Sequence, residues 1–334
     1  MILACDVGGT KTNVALLAPG AAGFTVTRLQ SYASRQHASL NDIITDFLGA
    51  TPPALDAAGF GVAGPVLDNR VTTTNLPWTV DGAQLSQLLG LPGVSLLNDV
   101  EVFAWAVPEL GADAHVPVQA GHADAGNLAV IAAGSGLGMS ALLRGDGPVR
   151  SLASEGGHGD FAPIDDLEID LLRFLRERFG RVSTERILSG PGLVNVYDFL
   201  RHAHGGHEPA PIDSSSATAA ADIGHAALAG ESELAERAVL LFLRAYGAAA
   251  GNWALDTMAT GGVWLGGGIA RKLLVGPTGT SPAWRARAYD AFLSRFRAKG
   301  RLSPLLEAMP VHIILTDEAP LMGAARFALA EQGR

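Results

Sequence analysis

Apolar residues in this chain fall into short runs that close on glycine. Residues 2–17, ILACDVGGTKTNVALL, read as an apolar strand, a Gly-Gly turn and a second strand. Residues 128–143, LAVIAAGSGLGMSALL, have the same length, the same order and the same Ala-Leu-Leu ending. Laid side by side, Gly8 falls on Gly134, Gly9 on Ser135 and Thr10 on Gly136. Strands and glycines are common enough for coincidence. A true repeat would make the chain two similar α/β halves, each opening with a hairpin whose turn is glycine-rich.

The remaining patterns fit alternating strands and helices. Residues 60–78 read as strand, turn, strand and loop, and 93–99, GVSLLND, as a short buried strand. VEVFAWAVPEL is compatible with a helix until Pro108. Helices are expected at 165–180, 190–203 and 231–259; in the first, Asp165 and Asp166 stand near the start and arginines near the end, as the helix dipole favours. The stretch 201–220 has the composition of an exposed loop entering a helix. Residues 261–273, GGVWLGGGIARKL, again give strand, glycine turn and helix. The strand VHIILTD then precedes a helix from Pro320. The expected organisation is a small lobe of residues 1–106 joined by about 318–334, and a larger lobe of 107–317.

Composition narrows the function. With 334 residues, 48% hydrophobic and 17% charged, the chain can bury a large core. Its 24 Lys and Arg against 33 Asp and Glu, net charge −9, argue against a phosphate-tracking nucleic-acid surface and favour a small-molecule ligand. The single cysteine, Cys5, lies in an apolar run and reads as a small buried hydrophobe; it excludes an intramolecular disulfide and a cysteine-based zinc cluster. No signal peptide and no uninterrupted apolar window of about 18 residues is evident, so a cytoplasmic protein with no membrane partner is expected.

Candidate chemistry begins at the glycine turns. A tight Gly-Thr or Gly-Ser turn aims backbone N–H groups in one direction and admits a phosphate where a Cβ would block it. Asp6, beside the first turn, suits a Mg²⁺ ion and its waters better than bare phosphate, so the pattern predicts a magnesium nucleotide with no direct protein metal site. A third turn, LGGGIA, could pack on a nucleoside. None of the three is a P-loop or a clean dinucleotide fingerprint, and each alone is also an ordinary turn.

Three polar clusters interrupt the apolar background: Asn98 with Asp99, SEGGHGDFAP at 154–163, and STERILSGPG at 183–192. Short Asn, Asp, Glu and His side chains suit adjacent hydroxyls of a sugar. Plain structural readings stand beside this one. Asp99 could cap a helix, STER could be a capping segment around Glu185, and His158 could be a loop histidine. His158 with Glu155 and Asp160 also permits a metal reading, although the glycines between them leave no obvious further ligand.

Taken together, DVGGTKT, LLNDVEVFAWAVP, GSGLG, EGGHGDFAP, ERILSGPGLVNVY and GGGIA resemble bacterial glucokinases of the hexokinase/actin-like ATPase superfamily, in order and rough spacing over nearly the whole chain. The resemblance implies an α/β fold of two ribonuclease-H-like lobes flanking a cleft, with glucose and ATP between them and Mg²⁺ carried by ATP. It implies phosphorylation of glucose at its C6 hydroxyl with Asp99 as catalytic base, Asn98 as a sugar ligand, and Glu155, His158 and Glu185 completing the sugar site. Asp6, Gly8, Gly9 and Thr10 match a first phosphate motif, Gly134, Ser135 and Gly136 a second, and Gly266, Gly267 and Gly268 an adenosine motif. GGTKTNVALL is closer to the repressor/kinase (ROK) sugar kinases, many of which carry a cysteine-rich zinc motif that this chain cannot form. Ser135 replaces the more usual Thr and keeps the hydroxyl; Lys11 receives no role. A homodimer is expected. The alternatives are a kinase of fructose, mannose or an N-acetylhexosamine, a sugar-sensing protein of the same scaffold, and a non-catalytic actin-like assembly protein.

Overall fold

The opening apolar run forms an antiparallel hairpin, β1 (Ile2–Val7) and β2 (Lys11–Gly20), which β3 (Gly23–Ala33) extends. β1 is buried on both faces, which is why it is nearly continuously apolar rather than alternating. Its other edge pairs in parallel with β4 (Ala57–Val62). A small hairpin of β5 (Arg70–Thr72) and β6 (Thr79–Asp81) intervenes before β7 (Ser95–Asn98), which pairs in parallel with β4. The sheet order is β3-β2-β1-β4-β7. Helix α1 (Leu40–Leu48) buries Leu40, Ile43, Ile44 and Phe47, one stripe at helical spacing, and starts on the Ser39 hydroxyl, which accepts the Asp42 N–H. Asp81 caps α2 (Gly82–Leu89) in the same way. On the sheet also lie α3 (Glu101–Ala106) and the last helix, Ala319–Gln332, rich in buried alanine.

A second sheet repeats the plan. β8 (His115–Gln119), β9 (Leu128–Ala133), β10 (Leu137–Leu143), β11 (Arg150–Ser154), β12 (Gly262–Gly266) and β13 (Val311–Ile314) are ordered β11-β10-β9-β12-β13-β8. β9 and β10 form the antiparallel hairpin, and β12 and β13 add in parallel, as β4 and β7 do in the first sheet. The faint repeat in the sequence is therefore real as topology, and its hairpins differ by one residue. Val7 pairs with Thr12 across four intervening residues, and Ala133 pairs with Leu137 across three, so the side-by-side match slips after the turn.

This computed structural model describes residues 1–20, 23–73, 76–203 and 212–332. The chain divides into two compact units: Met1–His115 with Ser151–Ala153 and Thr316–Arg334, and Val116–Arg150 with Ser154–Leu315. Residue 106 lies inside a helical segment, because Pro108 sits in a 3₁₀ turn, Val107–Glu109, that continues α3. The second unit holds α4 (Asp166–Phe179), α5 (Gly190–Ala203), α6 (Ala219–Ala229), α7 (Glu233–Asp256), the single turn α8 (Gly267–Ala270) and α9 (Pro282–Arg297). Residues 204–211 of the expected loop lie outside the described residues. Helix α7 is the centre of this core: Tyr246 meets Phe242 and Phe292 edge-on. It is long and apolar enough to cross a membrane, but 72% of its apolar window is buried inside the protein, as in a core helix. Asp165 caps α4 by accepting the Glu168 N–H and pairs with Arg244 of α7 and Arg295 of α9.

Candidate active site

In the first unit the parallel register decides what comes together. Val7 is level with Val62, and Val62 with Asn98, so the carboxyl ends of β1, β4 and β7 lie in one row. Ligands bind to open parallel sheets at this end. Adjacent strands are about 4.8 Å apart, which sets the Gly8–Thr10 turn and the Asn98–Asp99 pair about two strand spacings, or about 10 Å, from each other. The Gly8 N–H donates to the Lys11 carbonyl (3.0 Å), leaving Gly9 and Thr10 at the tip. Buried Ser34 ties the turn down: its hydroxyl donates to the Gly8 carbonyl (2.8 Å) and its N–H to the Thr10 carbonyl (3.1 Å). Asp6 accepts a hydrogen bond from the Asn13 amide (3.3 Å). Desolvation raises its pKa, against the lowering effects of Asn13 and the Lys11 charge.

Asn98 and Asp99, both half-buried, stand where β7 turns into α3. The Asp99 N–H donates to the Val62 carbonyl (3.1 Å), so its backbone still belongs to the ladder. The Asn98 side chain ties down the turn between β7 and α3. Its Oδ1 accepts the Val100 N–H (2.8 Å) and its Nδ2 donates to the Gly64 carbonyl (3.0 Å). Glu101, a buried carboxylate that the sequence reading passed over, accepts the Asn98 N–H (3.2 Å) at Oε2 and the Ser151 hydroxyl (2.7 Å) at Oε1. The signal was present: Asn98-x-x-Glu101 has the spacing of a capping box.

The second unit gathers the other candidates. Ala132 is level with Gly266, so the Gly134–Gly136 and Gly266–Gly268 turns leave neighbouring strands at one end. Gly267 has φ +77°, and a Cβ there would lie 2.4 Å from the Ala133 carbonyl oxygen, so only glycine lets the third turn lie against the second. The Gly134 N–H closes on the Gly136 carbonyl (2.9 Å), leaving Ser135 exposed at the tip. Glu185, on the 3₁₀ turn Thr184–Arg186, accepts the Leu137 N–H (2.9 Å) at Oε2.

Glu155 precedes the 3₁₀ turn Gly156–His158 and His158 ends it; both are exposed, with His158 Nε2 3.8 Å from Glu155 Oε2. The Thr184 N–H donates to the Gly159 carbonyl (2.8 Å), which holds this loop against the one carrying Glu185. Asp160, the third member of the metal reading, pairs with Arg181 (2.7 Å), and among the described residues no three His, Cys, Asp or Glu side chains are grouped to hold a metal ion. A cavity of about 210 Å³ behind the loop, between Phe161, Thr184 and Trp253, is lined by none of Glu155, His158 and Glu185.

Comparison with known proteins agrees over the full length. A family model described as Glucokinase matches residues 3–331. The chain is 36% identical to the glucokinase of Synechocystis sp., covering 97% of this chain and 96% of that one, and 36% identical to that of Nostoc punctiforme, covering 97% and 98%. Among solved structures, a glucokinase from an Antarctic psychrotroph superposes with a TM-score of 0.83 at 32% identity, covering 98% of each chain. A ROK family glucokinase from Streptomyces griseus, in complex with glucose and AMPPNP, gives a TM-score of 0.61 at 21% identity over 98% of this chain and 99% of that one, which speaks to the fold alone. The fold is that of the actin-like ATPases.

Proposed function

Because the chain belongs to the glucokinase family and phosphorylates glucose with ATP, we propose that Asp99 is the base that accepts the proton of the glucose C6 hydroxyl. The observation that carries this reading is the position of Asp99: it leaves the carboxyl end of β7, in the same row as the Gly8–Thr10 turn, with its backbone fixed by the bond to Val62 and flanked by the Asn98 side-chain bond to Val100. Phosphoryl transfer has a loose transition state, so alignment of the acceptor and neutralisation of charge supply most of the catalysis. Asp99 orients the hydroxyl in line with the γ-phosphate and takes its proton late in the transfer. Asn98 is a sugar ligand through the part of its amide that the bonds to Val100 and Gly64 leave over. Glu155, His158 and Glu185 complete the sugar site, with carboxylates accepting from adjacent hydroxyls and His158 available as donor or acceptor.

The turns Gly8–Thr10 and Gly134–Gly136 hold the phosphates through backbone N–H groups, and Gly266–Gly268 meets the adenosine. Mg²⁺ carried by ATP would neutralise phosphate charge. Asp6 fits its hydration shell, since a desolvated carboxylate beside a phosphate turn gains a compensating positive charge there. The sugar assignment has a direct test: Glu155→Gln and His158→Asn should each raise the KM for glucose about tenfold or more, the worth of one lost charge-assisted bond, with the KM for ATP little changed. An equal rise in both constants would overturn it. Glucose, fructose, mannose and N-acetylglucosamine assayed side by side with ATP should give the highest kcat/KM for glucose.

A further inference from the structure

Glu185 divides its carboxylate between two jobs. Oε2 accepts the N–H of Leu137, the first residue after the Gly134–Gly136 turn, at 2.9 Å. Glycine at 136 leaves room for this approach, since a Cβ there would lie 2.6 Å from that oxygen and push the carboxylate aside. Oε1 accepts no hydrogen bond among the described residues. Five residues on, the Gly190 N–H donates to the Gly134 carbonyl (2.8 Å). One segment, 185–190, therefore grips the turn at its entry and at its exit. That segment is itself rigid: the Ser189 hydroxyl donates to the Glu185 carbonyl (2.8 Å) and accepts the Gly192 N–H (3.0 Å).

A Gly-Ser-Gly turn has little side chain to pack, and glycine is the residue with most backbone freedom to lose. Left to itself, such a turn would sample many directions for its N–H groups. A charge-assisted bond to the backbone at its exit is the kind of restraint that fixes those directions before a ligand arrives. We propose that Glu185 is the positioning residue of the second phosphate turn, serving the nucleotide through Oε2 while Oε1 remains for the sugar. This rests on the reading that Gly134–Gly136 meets phosphate. It adds that sugar and nucleotide share one side chain and are coupled through it. Coupling of that kind is reciprocal: glucose bound at Oε1 tightens nucleotide binding by the same factor as nucleotide tightens glucose.

The test is MgADP binding measured by calorimetry in the absence of any sugar, which removes the sugar role of Glu185 from the readout. Glu185→Ala should weaken MgADP about tenfold or more, the effect of losing a bond to a charged acceptor. Glu185→Gln keeps an oxygen for the Leu137 N–H and should restore the dissociation constant to within about threefold, a rescue that a general packing defect would not give. Asp170→Asn, an exposed carboxylate of α4 paired with Arg173, serves as the carboxylate control and should leave MgADP affinity unchanged. Gly136→Ala tests the underlying reading by placing a methyl against Oε2 in the same turn. Unaltered MgADP affinity in Glu185→Ala with a loss in Gly136→Ala would overturn the positioning role and leave the phosphate reading standing. Unaltered affinity in both would overturn the phosphate reading, and the positioning role with it. Circular dichroism melts of each variant separate a loss of binding from a loss of fold.

Discussion

Replacing Asp99 by Asn changes one atom of a carboxylate into an amide and removes the capacity to accept a proton at almost constant shape. The surrounding bonds predict what is kept. The Asp99 N–H to the Val62 carbonyl is a backbone bond, and the cap on Val100 and the link to Gly64 belong to Asn98, so none of the three depends on the Asp99 side chain. A half-buried isosteric change that spares these bonds should alter stability by less than about 1 kcal/mol. The rate is another matter. A general base contributes about 10²–10⁴, which at about 1.36 kcal/mol per decade is about 2.7–5.4 kcal/mol of transition-state stabilisation. The expected variant therefore melts within a few degrees of wild type, binds glucose with similar affinity and turns over two to four decades more slowly. Glucose-dependent ADP release gives kcat, and equilibrium titration gives the sugar affinity. A kcat within tenfold of wild type, in protein that binds glucose normally, would show that Asp99 is not the base.

Other substitutions test the frame around that site. Asn98→Ala removes the acceptor for Val100 and the donor to Gly64 and should cost about 1–2 kcal/mol in urea denaturation. Asn98→Asp keeps the acceptor and should recover part of that; equal stability of Asn98→Ala and wild type would contradict a role for these bonds. Gly267→Ala puts a Cβ at φ +77° against the Ala133 carbonyl and should destabilise by about 1–3 kcal/mol, read as a lower melting temperature; an unchanged value would deny the close approach. Asp165 is partly desolvated, which raises its pKa, but the Glu168 N–H, Arg244 and Arg295 together hold it below the ordinary value. Its stabilisation is therefore present above about pH 4, the unfolded value, and fades as pH falls through the lower folded value. Asp165→Asn should flatten the acid limb of a stability-versus-pH curve; an unaltered slope would mean that the ion pairs contribute no linkage.

The parts of the fold that local pattern dictates were legible. Both glycine hairpins, α4 with its Asp165 cap and the long apolar α7 follow from runs, periodicity and capping residues inside one element. What escaped depends on neighbours. β3 is mostly solvent-exposed and reads as a polar stretch, becoming a strand because β2 offers it an edge. In α9, Trp284, Ala288, Phe292 and Phe296 recur every fourth residue behind a Ser281 cap, a legible signal that its arginine-rich composition obscures. That the Asn98 side chain turns back on Val100 and Gly64 is decided by where the β7 ladder ends. The bond from Leu137 to Glu185 spans 48 residues, and no local pattern announces a contact of that range. Residue types in the candidate site could thus be named from the sequence, while the bonds that aim them required the paired strands.

The row formed by β1, β4 and β7 also bears on how the molecule acquires activity. These strands end at residues 7, 62 and 98, and each joins its neighbour in parallel, so Asp99 reaches its place only after distant parts of the chain have met. Helices such as α4 and α7 contain their own hydrogen bonds and can form from local sequence, whereas non-local strand pairing is slow because the intervening loops must close first. In refolding from denaturant, helical ellipticity should accordingly return early and glucose phosphorylation late. Turnover is then the stricter gauge of a finished molecule.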